Sequence, residues 1–173
     1  SGDIIVEQSV HVLDVADWYL QSHPIKAYGT GGRKVRTQVG DCYDHFVVTF
    51  WYPNDVLVDF SHSQFVEGFF DLCTRVYGSR GTVDSHYMGA VKITGQNPWP
   101  GTDHHNTHDA GMMNNLMAFE KSIRTGEYFN NAEESAYSSL TTILGRMAAY
   151  QNRMVTWDEM IKANEKLDIE LKL

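Results

Sequence analysis

Proline and cysteine are scarce in this sequence, with four and two in 173 residues. Cys42 and Cys73 lie far apart and fit no metal-ligand spacing, so two reduced, mostly buried thiols are expected rather than one disulfide. Basic residues are also few. Fourteen Lys and Arg stand against 22 Asp and Glu, a formal charge of -8. With no basic run to offset it, nucleic acid and anionic membrane are excluded as expected partners. The longest apolar runs fall far short of the roughly 20 residues that a membrane-spanning helix needs. No positively charged segment followed by an apolar stretch opens the chain, so a cytoplasmic location is expected; a periplasmic one stays open should a leader precede Ser1. Three motifs are missing as well: G-x-G-x-x-G, G-x-x-x-x-G-K-[ST] and the G-x-S-x-G elbow. Neither a nucleotide-binding unit nor an acyl-transfer serine is expected within these residues.

What is present reads as an ordinary globular composition, 42% hydrophobic and 21% charged. The length suits one domain over residues 1–173. The opening Ser1-Gly2, without Met, reads as a boundary inside a longer protein. Ile4 to Val6 reads as a short strand or extended entry. From Ser9, a plausible N-cap, apolar residues follow helical spacing until Ser22-His23-Pro24. Strand-like stretches follow at Ile25–Gly29, His45–Tyr52, Val56–Ser63, Leu72–Gly78, Gly81–Ser85 and Ala90–Thr94, with Pro53-Asn54-Asp55 as a hairpin turn. No dozen-residue helical crossover separates them, which favours an antiparallel sheet. A polar loop from Gly95 to Thr107 leads to helices over Met113–Ile123 and Glu133–Tyr150. A last helix opens at Thr156, with Glu159 at the capping-box position. The expected class is α+β: one open, mostly antiparallel sheet with helices packed on one face.

Chemistry concentrates first at Glu7-Gln8-Ser9-Val10-His11-Val12-Leu13-Asp14. Glu7 stands four residues before His11 and Asp14 three after it. A carboxylate beside an imidazole fixes its tautomer and raises its basicity, as a base for a hydroxyl proton requires. An ordinary surface or capping histidine is the alternative. The run Asp103-His104-His105-Asn106-Thr107-His108-Asp109 suggests a metal. Adjacent imidazoles are hard to aim at one ion, however, so a helix-capping loop is expected and no metal ligands are assigned. Arg33, Lys34 and Arg36, after Gly31-Gly32, suit an anionic group or a solvated sheet edge. Asp44 and His45 could line a pocket or be edge polars. Trp51, Tyr52, Phe60, Phe65, Phe69 and Phe70 read as core or interface.

Taken in order, several stretches resemble the C-terminal domain of the glucose–fructose oxidoreductase / inositol dehydrogenase (Gfo/Idh/MocA) family. They are Gly2-Asp3-Ile4-Ile5-Val6-Glu7-Gln8 with His11-Val12-Leu13-Asp14, Gly31-Gly32-Arg33-Lys34-Val35-Arg36-Thr37, Tyr43-Asp44-His45-Phe46 with Tyr52-Pro53-Asn54, and Gly145-Arg146-Met147-Ala148-Ala149-Tyr150 with Val155-Thr156-Trp157-Asp158. The resemblance implies a dihydrodipicolinate-reductase-like domain whose sheet binds a sugar or cyclic polyol at one end and forms a homo-oligomer through its face. It makes His11 the base and Glu7 its partner, standing where the family usually has Asp. Asp14, Arg33, Arg36, Asp44 and His45 become the candidates for substrate. NAD or NADP is implied as cofactor, bound mainly by a Rossmann domain that also supplies a catalytic Lys. Neither lies in this sequence, so this chain alone is expected to be inactive. The same resemblance admits an NAD-dependent glycoside hydrolase, and a non-catalytic carbohydrate-binding or dimerisation module is the alternative from another class.

Overall fold

The computed structural model of the chain describes residues 2–104 and 107–166. They form two compact units, one holding the described residues up to Val66 and from Tyr137 onward, the other Glu67–Ala136. Each has its own four-stranded antiparallel sheet, so the strands are divided between two sheets rather than collected in one.

In the first unit, α1 (Asp3–Glu7) and α2 (Val10–Leu20) precede β1 (Lys26–Gly32), β2 (His45–Trp51) and β3 (Leu57–Ser63). The Ile4–Val6 segment is therefore helical, contrary to the extended reading. Three consecutive apolar residues carry no period, and here Ile4 and Ile5 bury against the sheet. Ser9 does not cap α2. Its backbone is itself helical, and its hydroxyl donates to Ile4 O at 3.3 Å. Left-handed Gln21 (φ 50°) ends α2 just before the Ser22-His23-Pro24 stop.

Strand order is β3-β2-β1-β8, where β8 is the two-residue Val155–Thr156. Alternation along β2 sends Phe46, Val48 and Phe50 into the core, and each fully buried ring or aliphatic group contributes roughly 1.5–3 kcal/mol. Tyr52 N donates to Val56 O at 2.9 Å to close the β2–β3 hairpin. Asn54 (φ 62°) and Asp55 (φ 59°) both adopt the left-handed conformation that a primed hairpin turn requires. α4 (Ala132–Gln151) lies on the buried sheet face, where Leu144, Met147 and Ala148 join Ile5 and Leu13 in one cluster. Gly145 permits the close approach: a Cβ there would come within 2.6 Å of the Phe50 ring.

α5 (Trp157–Ala163) follows β8. Thr156 caps it as expected, accepting from Glu159 N at 3.2 Å. The reciprocal half of the capping box is replaced, because the Glu159 carboxylate pairs with Arg153 at 2.5 Å.

The second unit holds β4 (Cys73–Gly78), β5 (Gly81–His86), β6 (Gly89–Gly95), β7 (Trp99–His104) and α3 (Thr107–Thr125), with sheet order β4-β5-β6-β7. β7 lies inside the segment expected to be loop. Pro98 and Pro100 argue against a strand, but Pro is tolerated on an edge strand, and β7 is one. A bulge between Val91 and Ile93 absorbs the irregularity, and Gly101 (φ 80°) lies so close to Val91 O that no side chain fits. Among the described residues no helix is long and apolar enough to cross a membrane. Both cysteines are free, and Cys42 is exposed rather than buried.

Candidate functional site

The sequence-selected residues fall into two groups within the first unit. Glu7 is the last residue of α1, and His11 stands in the first turn of α2. Both are exposed, and the Gln8-Ser9 turn separates the two helices that carry them. Asp14, one turn further, accepts a hydrogen bond from Ser138 of α4.

The second group is the loop between β1 and β2. Asp44 is 1% exposed and accepts three backbone N–H bonds on one oxygen, from Lys34, Val35 and Arg36 at 2.7–2.9 Å. Its other oxygen meets His45 Nδ1 at 2.8 Å. Burial alone would raise this carboxyl, but those bonds outweigh it and hold the group well below the usual carboxylate range. Asp44 thus faces inward as the staple of the loop, while His45, half-exposed at the start of β2, faces away from the core. Arg33 Nε donates to Arg36 O at 2.7 Å, and Arg36 donates to Gln64 Oε1 at 2.5 Å. Both guanidinium groups therefore have protein partners, with Arg36 the more exposed of the two. Ser63, cross-strand from His45, has a buried hydroxyl with no hydrogen-bond partner. The candidate histidine run centres on residues 105–106, outside the described residues, and the side chains around it are likewise undescribed.

Three features escaped the sequence. His62, on the core-facing side of β3, brings Nδ1 to 2.8 Å from Ser9 Oγ at the base of α2. Burial lowers its pKa, so the ring is neutral near pH 7. The only prior signal was its place two residues after core-facing Phe60 in an alternating strand.

Asp3, 2% exposed and left-handed (φ 64°), is the centre of the second feature. It accepts from Tyr43 N at 2.7 Å, Arg146 Nε at 2.5 Å and Tyr150 Oη at 2.9 Å. Arg146 lies 4.3 Å over the Tyr150 ring, which stacks on Tyr43 at 4.0 Å. Burial, then the bond to Asp3, push the Tyr150 phenol well up. This network ties α1, α4 and the entry to β2 together, and so holds α1, which ends at Glu7.

Asp17 on α2 is the third. Tyr52 donates to it at 2.5 Å and Thr141 at 2.8 Å. Burial raises its carboxyl to about 6 against the lowering effect of those two bonds. The folded protein therefore holds this proton more tightly than the unfolded chain does. Its contribution is complete below about pH 4 and is lost as pH rises through about 6. Urea titrations from pH 4 to 7 should show wild type losing stability relative to Asp17→Asn across that window. A pH-independent difference between the two would contradict the assignment.

These features define a class: an α+β domain with an exposed histidine at a helix start, an antiparallel sheet and a glycine-led loop. Comparison with known proteins adds a likeness to one family over the first half of the chain. Residues 1–84 match the model of the GFO/IDH/MocA C-terminal domain. No curated protein sequence matches the chain. Among solved structures, myo-inositol 2-dehydrogenase from Lactobacillus plantarum superposes with a TM-score of 0.71 at 16% identity, over 90% of this chain and 49% of that one. Scyllo-inositol dehydrogenase from Lactobacillus casei, solved with bound NAD(H) and scyllo-inositol, gives 0.70 at 14% identity, over 91% and 49%. UDP-N-acetylglucosamine 3-dehydrogenase from Acidithiobacillus ferrooxidans gives 0.71 at 13% identity, over 87% and 48%. The chain spans about half the length of these proteins.

A dinucleotide is implied by this resemblance, but the described residues do not fit one. Every described strand pair is antiparallel, so no parallel crossover presents a glycine-rich turn and helix N-terminus to a pyrophosphate.

Proposed function

We propose that this chain is the substrate-binding and oligomerisation part of an NAD(P)-dependent oxidoreductase acting on a sugar or cyclic polyol. One observation carries the reading: an exposed histidine in the first turn of α2, four residues after an exposed carboxylate, in a chain matching the GFO/IDH/MocA C-terminal domain over residues 1–84.

In this reading His11 accepts the hydroxyl proton as the carbon is oxidised, and Glu7 stabilises the resulting imidazolium. His45, the orphaned Ser63 hydroxyl, Asp14 and the Arg33–Arg36 loop are the polar groups available to a polyol. Asp44 acts on that loop through its backbone. The hydride acceptor, NAD or NADP, is held by residues other than these, so the isolated chain turns nothing over. The open sheet face shows Tyr28, Val47 and Leu57, which supports assembly of copies through it. The two unpaired thiols suit a reducing compartment such as the cytoplasm.

The test is to incubate the protein, joined to its cofactor-binding domain, with inositols and aldoses plus NAD or NADP, and to follow nicotinamide reduction. Substrate-dependent reduction is expected. Release of the phenol from an aryl glycoside without net reduction would replace this reading with the hydrolase. Inactivity in both assays, with carbohydrate still bound, would replace it with a binding module.

A further inference from the structure

A mixed-ligand cluster that plays no part in this redox reading lies on one face of the second sheet. Cys73 and His86 are directly opposed across β4 and β5, and Asp71 precedes Cys73 by two residues. One ligand atom from each, the Cys73 sulfur, a His86 ring nitrogen and an Asp71 oxygen, lies within 4.8 Å of both others. Cys73 Sγ is 3.6 Å from Asp71 Oδ2, and His86 Nδ1 is 3.1 Å from Asp71 Oδ1. No linear pattern announces this set, because the register of one hairpin makes neighbours of residues thirteen apart.

The surroundings have the features of a metal's outer layer. A metal-bound imidazole normally gives its second N–H to a carboxylate. Here His86 Nε2 lies 3.3 Å from Asp84 Oδ1, while Nδ1 faces Asp71 Oδ1 at 3.1 Å. Asp84 is held by Arg75 Nε at 2.8 Å, with Lys92 at 3.9 Å, while Arg75 Nη2 lies 3.2 Å from Asp71 Oδ2 and 3.4 Å from His86 Nε2. A thiolate, two carboxylates, a guanidinium, an ammonium and a divalent cation leave the group within one charge of neutral.

We propose that Cys73, His86 and Asp71 bind a thiophilic divalent metal ion, zinc by preference, with water in the fourth position. Sulfur, imidazole and carboxylate ligands select a borderline-soft cation over magnesium or calcium. The ion replaces the thiol proton and the Asp71 contact of Arg75, and clips β4 to β5. The inference does not depend on the redox reading.

Cobalt(II) titration of the chelator-treated full chain tests it. Expected are a near-ultraviolet thiolate-to-cobalt charge-transfer band saturating at one ion per chain, and its loss on adding zinc. Cys73→Ser and His86→Ala should abolish the band, while Cys42→Ser should keep it. Asp84→Asn, which leaves all three ligands in place, should weaken binding about 10–100-fold. Circular dichroism of each variant separates loss of ligand from loss of fold. Absence of the band, its survival in Cys73→Ser, or cobalt bound without sulfur by the histidines near residue 105 would overturn the proposal.

Discussion

Replacing His11 by alanine in the enzyme joined to its cofactor-binding domain is expected to lower kcat by about 10²–10⁴-fold, the range a positioned general base supplies. KM for the polyol should move far less, because an imidazole that acts on the proton in the transition state contributes little to ground-state binding. The residue is exposed in the first turn of α2, so the fold should survive its removal. Near-identical circular dichroism spectra would establish that. Glu7→Gln keeps the shape and removes the charge that stabilises the imidazolium, and its effect on kcat should be the smaller of the two. A change in kcat below threefold for His11→Ala would remove it from the chemistry.

The largest effect on stability belongs to Asp3. Its replacement by alanine leaves the Arg146 guanidinium, whose side chain is 18% exposed, without its counter-ion. Tyr150 Oη and Tyr43 N lose their acceptor as well. Removing one partner of a buried pair costs about 3–5 kcal/mol. Alanine at φ 64° adds left-handed strain of about 1–2 kcal/mol that aspartate tolerates better. For a chain of this length the melting temperature should fall by about 10 °C or more. Asp3→Asn, which keeps an acceptor oxygen and tolerates the left-handed backbone, should lose clearly less. Equal melting temperatures for wild type and Asp3→Ala would show that the network contributes nothing net.

The parts of this molecule legible in its sequence are those governed by local rules. Alternation found β2 and β3, the Pro-Asn-Asp run found their turn, and Thr156 found the start of α5. Helical spacing found α2 and most of α4. Local rules failed where a partner outside the segment decided the matter. Ile4–Val6 became helix because two isoleucines had to reach Leu144 and Phe50. β7 formed despite its prolines because an edge strand can lack a donor. The candidate site divides in the same way. His11 and Glu7 are proposed from their spacing along the chain alone. His62 was not visible, since it meets Ser9 across 53 residues. Asp3 reaches Arg146 across 143, and no pattern shorter than the fold itself connects them.

The Asp44 staple has a consequence for how this loop can change. It grips Lys34, Val35 and Arg36 only by their backbone N–H groups, which every residue except proline offers. The path of the loop is thereby uncoupled from its spelling. Side chains at these three positions can be exchanged in combinatorial libraries, by evolution or in the laboratory, while the main chain stays where Asp44 holds it. Charge, size and hydrogen-bonding character beside His45 become adjustable without a new backbone to fold, provided position 44 is left alone.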